Sequence, residues 1–174
     1  MDDILIEPLG EHKRGVFCCG NNSIDNFFKN NARKVHEAYS MRVFVARRAD
    51  DPSPLGFYAL TTMTFRVGMN DEADKKFGRH DAIPTIYLTM IGRDKSTQSG
   101  LGEHMMLDAF KRALMVRENV GVYALTLHAL NDRLKARYEE FGFQSFSDHA
   151  HDDTDGHTAM FIPLSVVAAS FNAA

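Results

Sequence analysis

The chain reads as an α/β domain: a mixed sheet with helices on both faces. Three observations carry that reading. Apolar runs of strand length recur along the chain, helically spaced apolar residues recur between them, and glycine or proline punctuates the junctions. The order is early strands, then strand–helix–strand–helix, then closing strands. A length of 174 residues predicts one domain, residues 1–174. A domain of this size buries a core without a disulfide or metal staple.

Ile4, Leu5 and Ile6 open a strand that Pro8 and Gly10 stop. Val16 to Gly20 is a short apolar segment ending at a glycine. Asn22 or Ser23 is placed to cap a helix in which Ile24, Phe27, Phe28, Ala32 and Val35 recur at helical spacing. Arg33, Lys34 and His36 fall on its polar face, suited to an anionic partner or simply to water. Met41 to Ala46 reads as a strand, Asp50 to Pro54 as a turn, and Gly56 to Val67 as the strand that completes a hairpin. Asp71 to Phe77 has the composition of one or two helical turns. Ile83 to Ile91 is a strongly apolar strand with Pro84 near its start. Met105, Met106, Ala109, Phe110, Ala113, Leu114 and Val116 mark a helix whose methionines fill the core. Val122 to Ala129 is a buried strand, and Asn131 to Phe141 a short helix that Gly142 stops. Phe143 and Phe146 continue into a strand, and Thr158 to Leu164 is the last one. The small apolar tail, residues 165–174, is a packing or interface segment.

Charge and cysteine usage narrow the function. Twenty Lys and Arg against 23 Asp and Glu give a net charge of -3, which disfavours a strongly basic nucleic-acid module but not a local basic patch. No run approaches the ~20 apolar residues of a membrane span. The start, Met1-Asp2-Asp3, has no signal-peptide character, so a cytoplasmic location and no membrane partner are expected. Cys18 and Cys19 are adjacent, form no long-range staple, and fit a reducing compartment. His149, His151, Asp152, Asp153, Asp155 and His157 supply metal-ligand types, but their spacing matches no compact motif. A solvated acidic loop is the plainer account, and no metal is expected.

Two segments carry chemistry. A strand ending near Gly92, a loop, and a helix starting near Gly102 form a candidate anion site, because unpaired amides at a helix start hold phosphate. Gly100 and Gly102 leave the backbone open to close approach. Neither Gly-x-x-x-x-Gly-Lys-Ser/Thr nor Gly-x-Gly-x-x-Gly is present. A plain helix-entry turn is the competing account. In the second segment Asn131 is placed to cap a helix, and Leu134, Tyr138 and Phe141 share one face. On spacing alone Tyr138 is a packed aromatic whose hydroxyl needs a partner if buried.

Taken together, these residues resemble the GNAT superfamily of N-acetyltransferases, and within it the acetyltransferase toxins of bacterial type II toxin–antitoxin pairs. Phe17-Cys-Cys-Gly20 followed by Ile24-Asp-Asn-Phe-Phe28 is similar to the toxins' Phe-x-Cys-Gly motif and its apolar helix. Leu55-Gly-Phe-Tyr-Ala-Leu60 matches Leu-Gly-Tyr-Tyr-x-Leu. Asn131, Tyr138, Gly142 and Phe143 meet the pattern Asn-x-x-Ala-x-x-Phe-Tyr-x-x-x-Gly-Phe, from which Leu134 and Arg137 depart. Thr97-Gln-Ser-Gly-Leu-Gly102 stands where relatives read Gln/Arg-x-x-Gly-x-Gly/Ala, with Thr97 in the leading place. The stretch Leu88 to Gly92 lacks the arginine of the toxins' Gly-Arg-Leu-Ala-Val.

The resemblance implies a largely antiparallel central sheet with a splayed parallel strand pair, and acetyl-coenzyme A as donor. It implies a pyrophosphate on the amides of Gln98, Ser99, Gly100, Leu101 and Gly102, and a pantetheine arm along Met90, Ile91 and Gly92. Tyr138 would protonate the leaving thiolate, and Asn131 would orient its helix or the cofactor. An amide at Met90 or Ile91 would meet the oxyanion. The implied substrate is the α-amine of a charged tRNA, with Arg33, Lys34 and Arg42 as candidate RNA contacts. A ribbon-helix-helix antitoxin and a homodimer are the implied partners. The alternatives are acetyl transfer to a small-molecule or protein amine, and a catalytically decayed binding protein on the same fold.

Overall fold

The computed structural model describes residues 4–97 and 99–173. Its elements are β1 (Ile4–Pro8), α1 (Asn22–Asn26), α2 (Ala32–Glu37), β2 (Arg42–Arg48), β3 (Asp51–Phe65), α3 (Asp71–Phe77), β4 (Ile83–Arg93), α4 (Leu101–Arg117), β5 (Ala124–Ala129), α5 (Asp132–Glu140), β6 (Gln144–Ser145), β7 (Thr158–Pro163) and α6 (Leu164–Asn172). The strands form one mixed sheet in the order β1-β2-β3-β4-β5-β7-β6. The expected architecture is observed: β1/β2, β2/β3, β5/β7 and β6/β7 are antiparallel, and β4/β5 is parallel. The parallel pairing covers three rungs, Thr85↔Ala124, Ile86↔Leu125 and Tyr87↔Thr126. From Leu88 to Arg93, β4 continues without a β5 partner among the described residues.

The chain divides into two compact units, to which β3, β4 and α4 each contribute residues on both sides of the division. The first comprises residues up to Thr61 together with Leu88–Lys111. Its core is aromatic. Phe28 stacks on Phe57 at 4.1 Å, and Phe17 stands edge-on to both at 4.9 and 5.5 Å. Val43 to Ala46 are buried at every position, so this part of β2 is covered on both faces and lacks the alternation of a half-exposed strand. The predicted helix around Ile24 to Val35 is helical throughout but not uniform. Phe27–Asn31 forms a π turn between α1 and α2, closed by the Ala32 amide on Phe27 O. The wider turn lets Phe27, Phe28 and Ala32 all enter the core. The cap is Asn21, one residue before the predicted pair; its side chain accepts from the Ser23 and Ile24 amides.

The hairpin is present, but Asp50–Pro54 is not a turn. β3 begins at Asp51, and the chain reverses at Ala49 and Asp50. Pro52 and Pro54 carry no N–H for the ladder, and the register between β2 and β3 shifts there, from Ala46↔Gly56 to Arg48↔Asp51. The breakers therefore loosen a strand end and do not end the strand.

The second unit comprises Thr62–Tyr87 and residues from Arg112 onward. Phe65, Met69, Ala73, Ile83, Ala124, Phe146, Ala159 and Phe161 form its core. Thr85 and Thr126 are buried in the parallel rungs, and their hydroxyls lie 3.1 Å apart. Each also reaches a carbonyl, Met63 O at 2.8 Å and Ile86 O at 3.2 Å, so neither is left unsatisfied. The apolar tail forms α6, which buries Leu164 and Val167 and leaves Val166 exposed. No helix among the described residues is long and apolar enough to cross a membrane.

Truncating the central stacked ring tests this core. Phe28→Ala is expected to destabilise the protein by about 3–5 kcal/mol, as cavities left by buried aromatics do, measured by urea unfolding monitored by circular dichroism.

Candidate active site

One carboxylate anchors the start of the loop between β4 and α4. Asp94 Oδ2 accepts the Cys18 amide at 2.8 Å, and Oδ1 accepts the Ser96 amide at 2.9 Å and its hydroxyl at 2.6 Å. The Asp94 amide donates to Leu55 O at 2.8 Å, and the Lys95 amide to Cys18 O at 2.9 Å. Burial pushes the Asp94 carboxyl up, but the Ser96 hydroxyl and the Cys18 amide outweigh it and hold the group below the usual carboxylate range. Gly20 has φ 92°, and a Cβ there would lie 2.5 Å from Lys95 Cε. The Phe17–Gly20 segment is thus the brace of the loop.

The helix that follows opens at a glycine. Gly100 has φ 100°, in the left-handed region, and its carbonyl accepts the His104 amide at 3.0 Å. That bond is the first rung of α4, so the amides of Leu101 and Gly102 precede the intrahelical ladder. A Cβ on Gly102 would meet nothing within 4 Å, so the first turn faces open space there. Leu101, Met105 and Met106 are buried and root the helix. Ser99 is exposed; Gln98 lies outside the described residues. An anion held by backbone amides fits this turn.

At Gly92, expected to lie along the pantetheine arm, packing also leaves no room for a side chain. A Cβ there would lie 3.0 Å from Ile24 Cγ2 and 3.5 Å from the Phe57 ring, and its carbonyl would crowd a Cβ on Gly56 at 3.1 Å. Packing of β4 against α1 and β3 accounts for both glycines. Met90 packs against the aromatic core, and Ile91 is partly exposed.

In the second unit, Asn131 caps α5: its Oδ1 accepts the Leu134 amide at 2.9 Å. This placement gives the residue a structural job in full. Tyr138, on the same helix, is 8% exposed and packs against Phe143 with ring centroids 5.9 Å apart. No hydrogen bond to its hydroxyl is found among the described residues. Burial pushes its pKa up to about 12. At neutral pH Tyr138 is a protonated phenol with a donor to spare.

The candidate RNA contacts differ in availability. Arg33 bridges to Glu11 at 3.0 Å, and Arg42 lies 4.7 Å over the Tyr39 ring and donates to His36 O at 3.2 Å. Lys34 is exposed. Burial and then the Asp25 carboxylate push the Cys19 thiol up to about 11, so it carries little thiolate at neutral pH. In the acidic loop, Asp153 accepts the His157 amide at 2.9 Å, the Asp155 amide at 3.0 Å and a His157 ring contact at 2.7 Å. Its carboxylate is a loop staple.

Of the residues expected at the site, Arg33, Lys34, Arg42, Met90 to Gly92 and Ser99 to Gly102 belong to the first unit, and Asn131 and Tyr138 to the second. Sequence reasoning missed Asp94, although an Asp two residues before a Ser after a strand is the signature of a side chain that caps its own turn. It also missed a contact between Tyr87 and His128, whose ring nitrogen and hydroxyl lie 2.8 Å apart.

No family model matches the chain. Among curated proteins it is 30% identical to the probable toxin TacT of Sinorhizobium fredii, covering 94% of this chain and 92% of that one. It is 31% identical to a tRNA-acetylating toxin of Mycobacterium tuberculosis, over 74% of this chain and 76% of that one. Among solved structures it is similar to a tyrosine-to-phenylalanine variant of KacT, with TM-score 0.87, 24% identity and coverage of 97% and 99%. It is also similar to AtaT complexed with acetyl-methionyl-tRNAfMet, with TM-score 0.84, 22% identity and coverage of 97% and 99%. These structural likenesses show the fold.

Replacing the anchoring carboxylate tests the loop. Asp94→Ala removes three hydrogen bonds made by exposed donors and is expected to cost about 0.5–1.5 kcal/mol at pH 7. A carboxyl held low in the folded state stabilises fully above its unfolded pKa of about 3.9, and that contribution is lost as pH falls through the lower folded value. The gap between wild type and variant in urea melts therefore narrows below pH 4.

Proposed function

The chain belongs to the GNAT-fold acetyltransferase toxins of toxin–antitoxin systems, and from that premise we propose that it acetylates the α-amine of an aminoacyl-tRNA and so blocks translation. The observation that carries this reading is the glycine-opened first turn of α4, with amides ahead of the ladder and open space at Gly102. The tRNA-acetylating relative and the acetyl-methionyl-tRNAfMet complex of AtaT support the choice of substrate. An AtaTR structure bound with acetyl-coenzyme A supports the choice of donor.

Acetyl-coenzyme A would supply the activated acyl group, and the chain's residues do the rest. The amides of Ser99, Gly100, Leu101 and Gly102 would hold the pyrophosphate, the expected contribution of Gln98 lying outside the described residues, and the dipole of α4 would add roughly 0.3–1 kcal/mol. Successive amides of a strand point to opposite edges. One of Met90 and Ile91 therefore turns its N–H away from β3 and stabilises the oxyanion. Asn131 sets the start of α5, and Tyr138 on that helix gives its proton to the departing thiolate. A pKa of about 12 is high for that donation. A phenol with that pKa keeps its proton at neutral pH and would give it up only as the thiolate forms. An α-amine with a pKa of about 8 leaves enough neutral nucleophile near pH 7 to react.

Arg33, Lys34 and Arg42 meet RNA phosphates, Lys34 without first breaking an ion pair. A ribbon-helix-helix antitoxin is the expected partner. Structures of AtaT bound to the C-terminus of AtaR and of a KacTA–DNA complex support this. The toxin itself is proposed to be a homodimer.

Incubation of the protein with labelled acetyl-coenzyme A and charged tRNA, small amines and protein, followed by mass analysis, tests the reading. Label on aminoacyl groups is expected; label on small or protein amines alone would replace the substrate. Tyr138→Phe is expected to lower kcat about 100-fold, within the usual range for a lost general acid, with acetyl-coenzyme A affinity unchanged. Gly100→Val forces a β-branched residue into the left-handed region. It is expected to abolish the thermal shift that acetyl-coenzyme A produces in the wild type.

A further inference from the structure

The second unit holds a cavity of about 310 Å³ that acetyl transfer does not use. Lys76 and Phe77 of α3, Arg117 at the end of α4, Val122, Tyr123 and Ser165 of α6 line it. Its size falls at the small end of ligand pockets, which run from roughly 300 to 1,000 Å³. All of these residues belong to the same compact unit.

The Tyr123 hydroxyl singles this cavity out. Among the described residues it is a buried side-chain polar atom with no hydrogen-bond partner. Native structures leave few such groups, because a donor kept from water without an acceptor costs stability. The residue is held in place. Its amide donates to Pro84 O at 2.8 Å, its carbonyl accepts the Leu164 amide at 2.9 Å, and its ring meets Phe77 edge-on at 5.2 Å. Burial, and then the Glu72 carboxylate, push its pKa up against an opposing pull from Lys76. At neutral pH the group is therefore a donor in need of an acceptor.

Cations stand beside it. Lys76 Nζ lies 5.5 Å over the Tyr123 ring. Arg117 commits only Nη1 among the described residues, to Leu164 O at 3.1 Å, and the rest of its fork remains for an anion. Glu72 pairs with Lys76 at 2.6 Å, so these three side chains leave a single positive charge in excess. Lys76 is 53% exposed, and an exposed pair of this kind holds it only weakly. Phe77, Val122 and the Tyr123 ring supply apolar wall.

We propose that this cavity binds a small monocarboxylic acid, its carboxylate held by Arg117, Lys76 and the Tyr123 hydroxyl and its hydrocarbon body lying against Phe77 and Val122. A carboxylate suits the planar fork of an arginine and supplies the acceptor that the phenol lacks. One negative charge matches the excess of one positive charge; a phosphate dianion exceeds it and gains nothing from the apolar wall. Lys76 follows the incoming anion.

The test titrates the full chain with hexanoate and with benzoate by calorimetry. Phosphate and hexanol are the controls, the first a charge without a body and the second a body without a charge. Saturable binding of the acids is expected, with a rise in melting temperature. Arg117→Gln keeps a donor for Leu164 O and removes the charge; it is expected to weaken acid binding about tenfold. Tyr123→Phe is expected to weaken it about threefold, while the ligand-free melting temperature stays equal or rises because the lost hydroxyl had no partner. Binding of one acid alone supports the site and reports the shape of its wall. The proposal is overturned if neither acid binds up to about 10 mM, if phosphate or hexanol binds as tightly as the acids, or if either variant keeps wild-type affinity. A lower ligand-free melting temperature in Tyr123→Phe would make the hydroxyl structural and overturn it too. Should Arg117→Gln not fold, Lys76→Gln replaces it, with an expected loss of about threefold. Acetyl transfer enters none of these readouts, so the function proposed above stands or falls separately.

Discussion

The carboxylate of Asp94 is the constraint on which the candidate cofactor turn depends. It gathers donors from two distant parts of the chain, the Cys18 amide and both donors of Ser96. Besides it, among the described residues, the loop leaving β4 is tied down by the backbone bonds of Asp94 and Lys95 and by Arg93 on Thr97. Beyond it, Gly100 adopts the left-handed conformation that opens α4. Binding through backbone amides demands this kind of support. An amide cannot reorient by rotating a side chain, so its aim is only as good as the loop that carries it.

Much of the fold was legible in the sequence because it rests on periodicity and punctuation. The strand at Ile83, the helix through Met105 and Phe110, and the Asn131 cap all follow from residue type and spacing. The departures have local causes. Pro52 and Pro54 look like turn residues, but they lie where β3 loses register with β2 and so needs fewer donors. The π turn at Phe27–Asn31 follows from the need to bury two consecutive phenylalanines, which an average helical period does not show. Gly92, expected as a cofactor contact, is also a packing glycine, which only the positions of Ile24 and Phe57 reveal. The Tyr87–His128 pair was invisible because its members are 41 residues apart and meet only through the parallel rung.

The two ends of the sheet bear on how copies of this chain can associate. β6, at one end of the strand order, is only two residues long. β1, at the other, closes on Pro8, which has no N–H, and its Glu7 is held by an ion pair with Arg47 and a hydrogen bond with His12. Among the described residues, β1 and β6 offer only short rows of unpaired backbone groups to an extended foreign segment. Runaway growth of the sheet toward fibrils is thereby discouraged.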